Sequence, residues 1–199
     1  MILGVTGGIG VGKSALSRYL VTLGARSLDA DRVAHDLLEA GVGRASLRAC
    51  FGADIEDQNG QLDRRLLGRR ALASKSSLQK LYAIVRPSLE AELRSNLSTL
   101  SKESPPNIVV FDAPLLYEWG IEAWTDCVVV VYADREIRIE RIMRRSGLSR
   151  IEIERRMALQ MDEDKKRERA DFTVNNSDDL TALYQQAVTL WTQISGAAL

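Results

Sequence analysis

The stretch Gly7-Gly8-Ile9-Gly10-Val11-Gly12-Lys13-Ser14 matches the phosphate-loop pattern Gly-x-x-x-x-Gly-Lys-Ser/Thr at every required position. The apolar run of residues 1–6 precedes it and is short enough to form a buried parallel strand. Leu16, Leu20 and Leu23 follow at helical spacing, so the loop is expected to open a helix. This strand–loop–helix context favours a nucleoside triphosphate site over a glycine-rich turn without a ligand.

The residue types of this loop explain how it would bind phosphate. Glycines let the backbone curl so that successive N–H groups face inward, and the helix N-terminus adds partial positive charge. Lys13 is expected to reach the β- and γ-phosphates, and the Ser14 hydroxyl is expected to ligate Mg²⁺. The predicted nucleotide-binding residues of the loop are Gly8, Ile9, Gly10, Val11, Gly12, Lys13, Ser14 and Ala15.

Composition limits the other function classes. The 199 residues suit a single domain, and 27 basic residues balance 27 acidic ones, so no general attraction to nucleic acid or membranes is expected. No apolar run approaches the ~20 residues of a membrane span, and no basic leader of a signal peptide precedes the first strand. Two cysteines, Cys50 and Cys127, are typical of thiols in a reducing compartment. We therefore expect a cytoplasmic protein.

Apolar segments alternate with helical ones along the rest of the chain. Residues 25–29, 108–112, 127–132 and 172–175 are predicted strands, and residues 104–107 are a predicted loop. Strands that alternate with helices indicate an α/β fold, here a doubly wound parallel sheet.

A long helical segment interrupts this alternation at residues 46–100. Asp63 suits the start of one helix, and Pro87 suits the first turn of another that carries a stripe of leucines. Because this insertion lies between two predicted strands, we expect it to form a helical subdomain that faces the second substrate.

Acidic residues end two of the predicted strands. Asp112 follows four apolar residues, the arrangement of an acid that lies near Mg²⁺ or its waters. Asp29 and Asp31 follow the strand after the phosphate loop, where one could orient metal-bound water and the other accept a proton from an attacking hydroxyl. Asp31 could equally cap the following helix, and the residues alone leave these alternatives open.

Arginines crowd the region of residues 135–169, which we interpret as a lid over the polyphosphate. Such a lid would supply positive charge to the transferring phosphoryl group. Arg141 and Arg145, at i and i+4, are the two predicted to face the nucleotide. The alternative is a solvated face on which these arginines pair with nearby glutamates.

Several motifs together resemble one family, the dephospho-CoA kinases, which are small P-loop kinases. The resemblance covers nearly the whole chain, and the phosphate loop is its least specific part. The other matching stretches are residues 29–31 with 33–35, residues 112–118 (Asp-Ala-Pro-Leu-Leu-Tyr-Glu), residues 141–145, Gln160 and residues 170–176 (Ala-Asp-Phe-Thr-Val-Asn-Asn). The sequence departs from the family pattern at Arg86-Pro87, where His-Pro is usual, and at Ser146, where an acid is common.

The resemblance implies transfer of the ATP γ-phosphate to the ribose 3′-hydroxyl of dephospho-CoA, the last step of coenzyme A synthesis, with Mg²⁺. Asp31 would orient or deprotonate the 3′-hydroxyl, Arg141 would lie on the lid with Arg145, and Asn175 would lie near the adenine of ATP. The implied fold is a three-layer, doubly wound α/β fold of the P-loop kinase type, with residues 1–199 as a single P-loop kinase domain. Within it, residues 46–100 would form the CoA-binding subdomain. The implied catalytic residues are Asp31, Lys13 and Arg141; the implied metal residues are Ser14, Asp112 and Asp29; and the implied substrate-binding residues are Asp31, His35, Arg86, Leu115, Tyr117 and Glu118.

Two further function classes remain at this point. One is another small P-loop kinase, which would act on a nucleoside monophosphate or a metabolite alcohol. The other is a nucleotide switch that drives a partner interaction, although the guanine-specificity stretch Asn-Lys-x-Asp is absent from the sequence. A monomer or a small homo-oligomer is expected in each case.

Overall fold

The computed structural model describes residues 1–102 and 108–196, so the loop predicted at residues 104–107 lies outside the described residues. Two compact units are present. The first contains residues Met1–Ala30 and Asn96–Leu199, and the second contains Asp31–Ser95. No helix within the described ranges is both long and apolar enough to cross a membrane.

A five-stranded parallel sheet forms the centre of the first unit. Its strands are β1 (Ile2–Thr6), β2 (Arg26–Asp29), β3 (Val109–Asp112), β4 (Cys127–Tyr132) and β5 (Phe172–Asn175), and their order across the sheet is β2-β3-β1-β4-β5. β3 and the middle of β4 are buried along their length, as expected for strands covered on both faces. The predicted α/β class is confirmed.

Helices pack against this sheet. The first unit contains α1 (Lys13–Thr22), α6 (Arg135–Ser146), α7 (Arg150–Met157), α8 (Glu163–Glu168) and α9 (Leu180–Gly196). Leu16 and Leu20 of α1 join Leu183 and Leu190 of α9 in one buried cluster with the strand valines. Ser149 and Glu152 form a capping box at the start of α7.

The parallel strand order decides where polar residues gather. Because all five strands run in the same direction, their carboxyl ends meet at one edge of the sheet, where ligands bind in open α/β folds. β1 ends in the phosphate loop, β2 in Asp29, β3 in Asp112 and β5 in Asn175. Asp29 and Asp112 are register partners on neighbouring strands.

The second unit is helical. It takes most of α2 (Ala30–Glu39), all of α3 (Arg44–Phe51) and α4 (Arg64–Ala71), and the larger part of α5 (Lys75–Lys102). Its core is a separate cluster built from Leu47, Phe51, Ile55, Leu62, Leu67 and Ala71. Asp63 caps α4 by accepting a hydrogen bond from the Leu66 amide at 2.9 Å. The unit begins earlier and ends earlier than the predicted subdomain of residues 46–100.

The prediction that Pro87 starts a new helix is wrong. Pro87 lies inside α5, which runs from Lys75 to Lys102 as one helix. An interior proline costs about 3 kcal/mol, because it removes a backbone hydrogen bond and crowds the preceding turn. Buried apolar side chains lie on both sides of it, namely Leu78, Val85, Leu89 and Leu93. Burying each of these side chains stabilises the fold by about 1.5–3 kcal/mol, and together they exceed the cost of the proline.

Candidate active site

The phosphate loop begins at the end of β1 and closes at the first turn of α1. Gly12 precedes the helix with φ 87°, a left-handed conformation that favours glycine. Gly7 passes so close to β4 that a Cβ built on it would lie 2.2 Å from the Val131 carbonyl oxygen. A side chain on Gly7 would therefore displace the loop from the sheet, and one on Gly12 would strain the backbone and collide with the Asn176 side chain.

Side chains from distant parts of the chain hold the backbone of this loop. The Ile9 amide donates to Gln160 Oε1 at 2.8 Å, and the Ile9 carbonyl accepts from Arg138 Nε at 3.0 Å. The Val11 carbonyl accepts from Asn176 Nδ2 at 2.7 Å. These hydrogen bonds from protein donors to two loop carbonyl oxygens stabilise the loop conformation.

The predicted metal residues come together. Ser14, Asp29 and Asp112 line one cavity of about 300 Å³, which Ser17, Arg18, Val21 and Ser27 complete. Asp112 is buried, and its Oδ2 accepts from Ser17 Oγ at 3.0 Å. The described part of the chain contains no group of three or more histidine, cysteine or acidic side chains placed to hold a metal. Two carboxylates and a hydroxyl fit Mg²⁺, which usually keeps several waters and binds through one or two carboxylates plus substrate phosphates.

The lid arginines divide into different environments. Arg141 donates to the Asn176 carbonyl at 2.7 Å, which ties α6 to the segment after β5. Arg145 is exposed on the same helix. Arg135 and Arg150 pair with Glu154 at the surface, at 2.9 and 3.1 Å, as the solvated-face alternative expects.

Arg138 is a site residue that the sequence reasoning did not single out. It is 7% exposed, bonds the Ile9 carbonyl through Nε, and pairs with Glu163 through its terminal nitrogen. Helical spacing carries a signal for it, because Arg138 lies three residues before Arg141 and four before the buried Ile142. That spacing places Arg138 on the inward face of α6.

Lys166 is the second residue that sequence reasoning missed. Its side chain is fully buried, and its ammonium donates to Glu118 Oε1 at 2.8 Å and to the Pro114 carbonyl at 3.1 Å. Glu118 Oε1 also accepts from the Met161 amide at 2.9 Å. Burial lowers the pKa of Lys166, and the positive charge of Lys13 acts in the same direction, whereas Glu118 opposes the shift. Lys166 thus ties residues 112–118 to the lid region beside the phosphate loop.

Replacing Lys166 by methionine is expected to destabilise the protein by about 3 kcal/mol, because it leaves Glu118 with an uncompensated charge. For a chain of this length, that corresponds to a fall in melting temperature of about 6–12 °C in calorimetry. Lys165→Met, at an exposed position on the same helix, is the matched control and should melt like the wild type. The double variant Lys166→Met/Glu118→Gln should recover most of the loss. Equal melting of the Lys166 and Lys165 variants would contradict the assignment.

The remaining predicted residues lie in varied surroundings. Asn175 ends β5, and its Oδ1 accepts from the Ser177 amide at 2.9 Å. Leu115 is half-buried, whereas Tyr117 is buried under the Arg169 guanidinium, and burial raises the pKa of Tyr117 to about 12.

Asp31, His35 and Arg86 belong to the second unit. Asp31 is exposed and lies within the first turn of α2 rather than before it, since the helix begins at Ala30. His35 is half-buried on the same helix, and Arg86 pairs with Glu90 one turn along α5.

Comparison with known proteins gives consistent matches. The sequence model of the dephospho-CoA kinase family (CoaE) matches residues 1–182. Curated relatives named dephospho-CoA kinase include one from Anaeromyxobacter dehalogenans, 39% identical over 98% of this chain and 92% of its own length. Another, from Geobacter sulfurreducens, is 39% identical over 96% of both chains.

Solved structures match this chain as well. The protein in a crystal structure from Thermus thermophilus is 34% identical to it in sequence, with a TM-score of 0.79 over 98% of this chain and 97% of its own. The dephospho-CoA kinase from Campylobacter jejuni is 26% identical, with a TM-score of 0.72 over 100% and 98% of the two chains. Shikimate kinase from Acinetobacter baumannii, 16% identical with a TM-score of 0.54 over 100% and 94%, shares the fold alone.

Proposed function

The chain belongs to the dephospho-CoA kinase family, and from this premise we propose how its residues divide the work of the reaction. The family reaction is the last step of coenzyme A biosynthesis, the ATP-dependent phosphorylation of the ribose 3′-hydroxyl of dephospho-CoA. The observation that carries the assignment of roles is the cavity that unites Ser14, Asp29 and Asp112 at the end of the phosphate loop.

The phosphate loop binds ATP. Backbone N–H groups of residues 8–15 surround the phosphates, and the N-terminus of α1 favours their negative charge. Lys13 lies at the first position of α1 and places its ammonium on the β- and γ-phosphates. Arg141 and Arg145 add charge from the lid, and Asn175 lies on the adenine side. Phosphoryl transfer needs positioning and charge neutralisation, and these residues supply both.

Ser14, Asp112 and Asp29 hold Mg²⁺ or its waters. When bound, the metal neutralises charge that develops on the phosphate oxygens. The Ser17 hydroxyl bonds the Asp112 carboxylate and so limits its rotation. The residues of this chain therefore prepare the site by fixing the Asp112 carboxylate at the end of β3.

Replacing Asp112 by asparagine is expected to raise the Mg²⁺ concentration for half-maximal turnover by about tenfold or more. A titration of Mg²⁺ at saturating ATP measures this shift. Ser17→Ala is the matched variant, since it removes only the hydroxyl that orients Asp112, and it should give a smaller shift in the same direction. An unchanged Mg²⁺ requirement in Asp112→Asn would remove this carboxylate from the metal site.

The helical unit of residues 31–95 provides the residues that bind dephospho-CoA, among them His35 and Arg86, while Leu115, Tyr117 and Glu118 contribute from the segment after β3. Asp31 orients the 3′-hydroxyl and accepts its proton. Asp31 follows Asp29, a cavity residue, by two positions in the chain, which supports this role. A cytoplasmic location, and a monomer or small homo-oligomer without nucleic-acid or membrane partners, stay predictions from the sequence.

The deciding experiment measures ATP consumption by the purified protein with Mg²⁺, with and without dephospho-CoA, and identifies the product by mass. Turnover that requires dephospho-CoA and yields coenzyme A is the expected result. A panel of nucleoside monophosphates and small alcohols serves as the control. Turnover on a member of that panel, with none on dephospho-CoA, would keep the phosphate-loop chemistry and contradict the substrate.

A further inference from the structure

Arg138 is a buried cation that touches the phosphate loop, although it belongs to a helix of the lid region. Its guanidinium lies directly against the loop: a Cβ built on Gly8 would come within 2.4 Å of Arg138 Nη2. Its Nε donates to the Ile9 carbonyl at 3.0 Å. A buried charge is costly unless it is paired, so the position calls for an explanation.

Glu163 supplies the pairing. It lies at the start of α8, and its Oε2 accepts from Arg138 Nη1. The side chain of Arg138 is 8% exposed and that of Glu163 is 24% exposed, so water screens the pair weakly. Because a guanidinium is planar, fixing Nη1 on Glu163 also fixes the direction in which Nε points. Glu163 thereby aims Arg138 at the Ile9 carbonyl.

The direction of that carbonyl matters for phosphate binding. A carbonyl oxygen carries partial negative charge, so one that turned toward a polyphosphate would repel it. Arg138 holds the Ile9 carbonyl by a charge-assisted hydrogen bond, and Gln160 holds the amide of the same residue at 2.8 Å. The lid region therefore bonds both polar backbone groups of one loop residue.

We propose that Arg138 is a positioning residue for phosphoryl transfer: oriented by Glu163, it holds the Ile9 carbonyl so that the phosphate loop keeps its ATP-binding conformation. The inference rests on the proposed binding of ATP at this loop. It assigns a role to an arginine of α6 other than the two expected to face the nucleotide, Arg141 and Arg145. It also assigns Glu163 to the ATP site through Arg138.

The test compares nucleotide affinity with thermal stability in four variants. MgATP and MgADP affinities are measured by calorimetry, and melting temperatures are measured on the same samples. Arg138→Met is expected to lower the affinity for both nucleotides by about tenfold or more, because a charged hydrogen bond to the loop is lost. Glu163→Gln leaves Arg138 in contact with the loop, so it should lower both nucleotide affinities by about threefold. Arg144→Met, at an exposed position on the same helix, is the matched control and should bind as the wild type does.

The double variant Arg138→Met/Glu163→Gln separates positioning from stability, and it serves equally if Arg138→Met alone fails to fold. Removing both partners leaves no stranded charge, so the melting temperature should return toward that of the wild type. Nucleotide affinity should remain about tenfold below that of the wild type, since the Ile9 carbonyl still lacks its donor. Recovery of wild-type affinity in the double variant would overturn the proposal, because Arg138 would then act through stability alone.

Three other results would also overturn it. A loss confined to MgATP, with MgADP unaffected, would show that Arg138 contacts the terminal phosphate instead of positioning the loop. Wild-type protein that binds neither nucleotide would overturn the proposed function together with this inference, whereas normal wild-type binding with unaffected variants would overturn the role of Arg138 alone.

Discussion

Turnover of the Asp31→Asn variant is expected to fall by about 100-fold or more, while its affinity for ATP stays close to that of the wild type. Asparagine keeps the size and polarity of the side chain but cannot accept a proton from the 3′-hydroxyl. General-base catalysis contributes about 10²- to 10⁴-fold, which sets the expected loss. The measurement is kcat with saturating dephospho-CoA, together with a separate determination of MgATP affinity.

The same helix offers a matched control for this substitution. Asp36 is an exposed aspartate on α2, and Asp36→Asn should leave turnover unchanged. An aspartate in the first turn of a helix also stabilises that helix by about 0.3–1 kcal/mol through the helix dipole, so both variants are compared at a temperature well below melting. Near-normal turnover in Asp31→Asn would reduce this residue to a stabiliser of α2.

The Lys13→Met variant is expected to lose about 100- to 1,000-fold in kcat/KM for ATP. Methionine keeps the length and apolar stem of lysine but removes the charge that we propose for the β- and γ-phosphates, and removal of one such donor has a cost of that size. Steady-state kinetics over a range of ATP concentrations, with dephospho-CoA saturating, measures the loss. The expected pattern is a fall in kcat as well as a rise in KM, since the charge of Lys13 is most valuable in the transition state.

Two variants sharpen the interpretation of Lys13. Lys165→Met removes an exposed lysine of the lid region and should behave as the wild type. Lys13→Arg keeps the charge in a wider, forked group, so its kcat/KM for ATP should lie between those of Lys13→Met and the wild type. A Lys13→Met variant in which KM alone changes would show that this residue binds ATP without assisting the transfer.

Local sequence patterns were enough to predict the fold and the edge of the sheet at which Asp29 and Asp112 lie. The phosphate loop is eight consecutive residues, and its neighbours show strand and helix character within a few positions on either side. Four apolar residues before Asp112 were enough to place that acid at a strand end. Once the strands are parallel, their carboxyl ends share one edge of the sheet, so the prediction for Asp29 and Asp112 needed no knowledge of side-chain contacts. The motifs of residues 112–118 and 170–176 then indicated the family.

Only the tertiary structure decided which charged residues are buried and what they hold. Arg138 bonds a residue 129 positions away, Asn176 bonds one 165 positions away, and Lys166 bonds the Pro114 carbonyl 52 positions away. In the sequence, Arg138 and Lys166 stand among many similar charged residues, most of which are exposed. A charge is stable inside a protein only where folding brings a partner to it, and the fold of the whole chain chooses that partner. The position of Pro87 was also decided by the tertiary structure, because burial of apolar side chains along α5 outweighs the local preference of proline for a helix start.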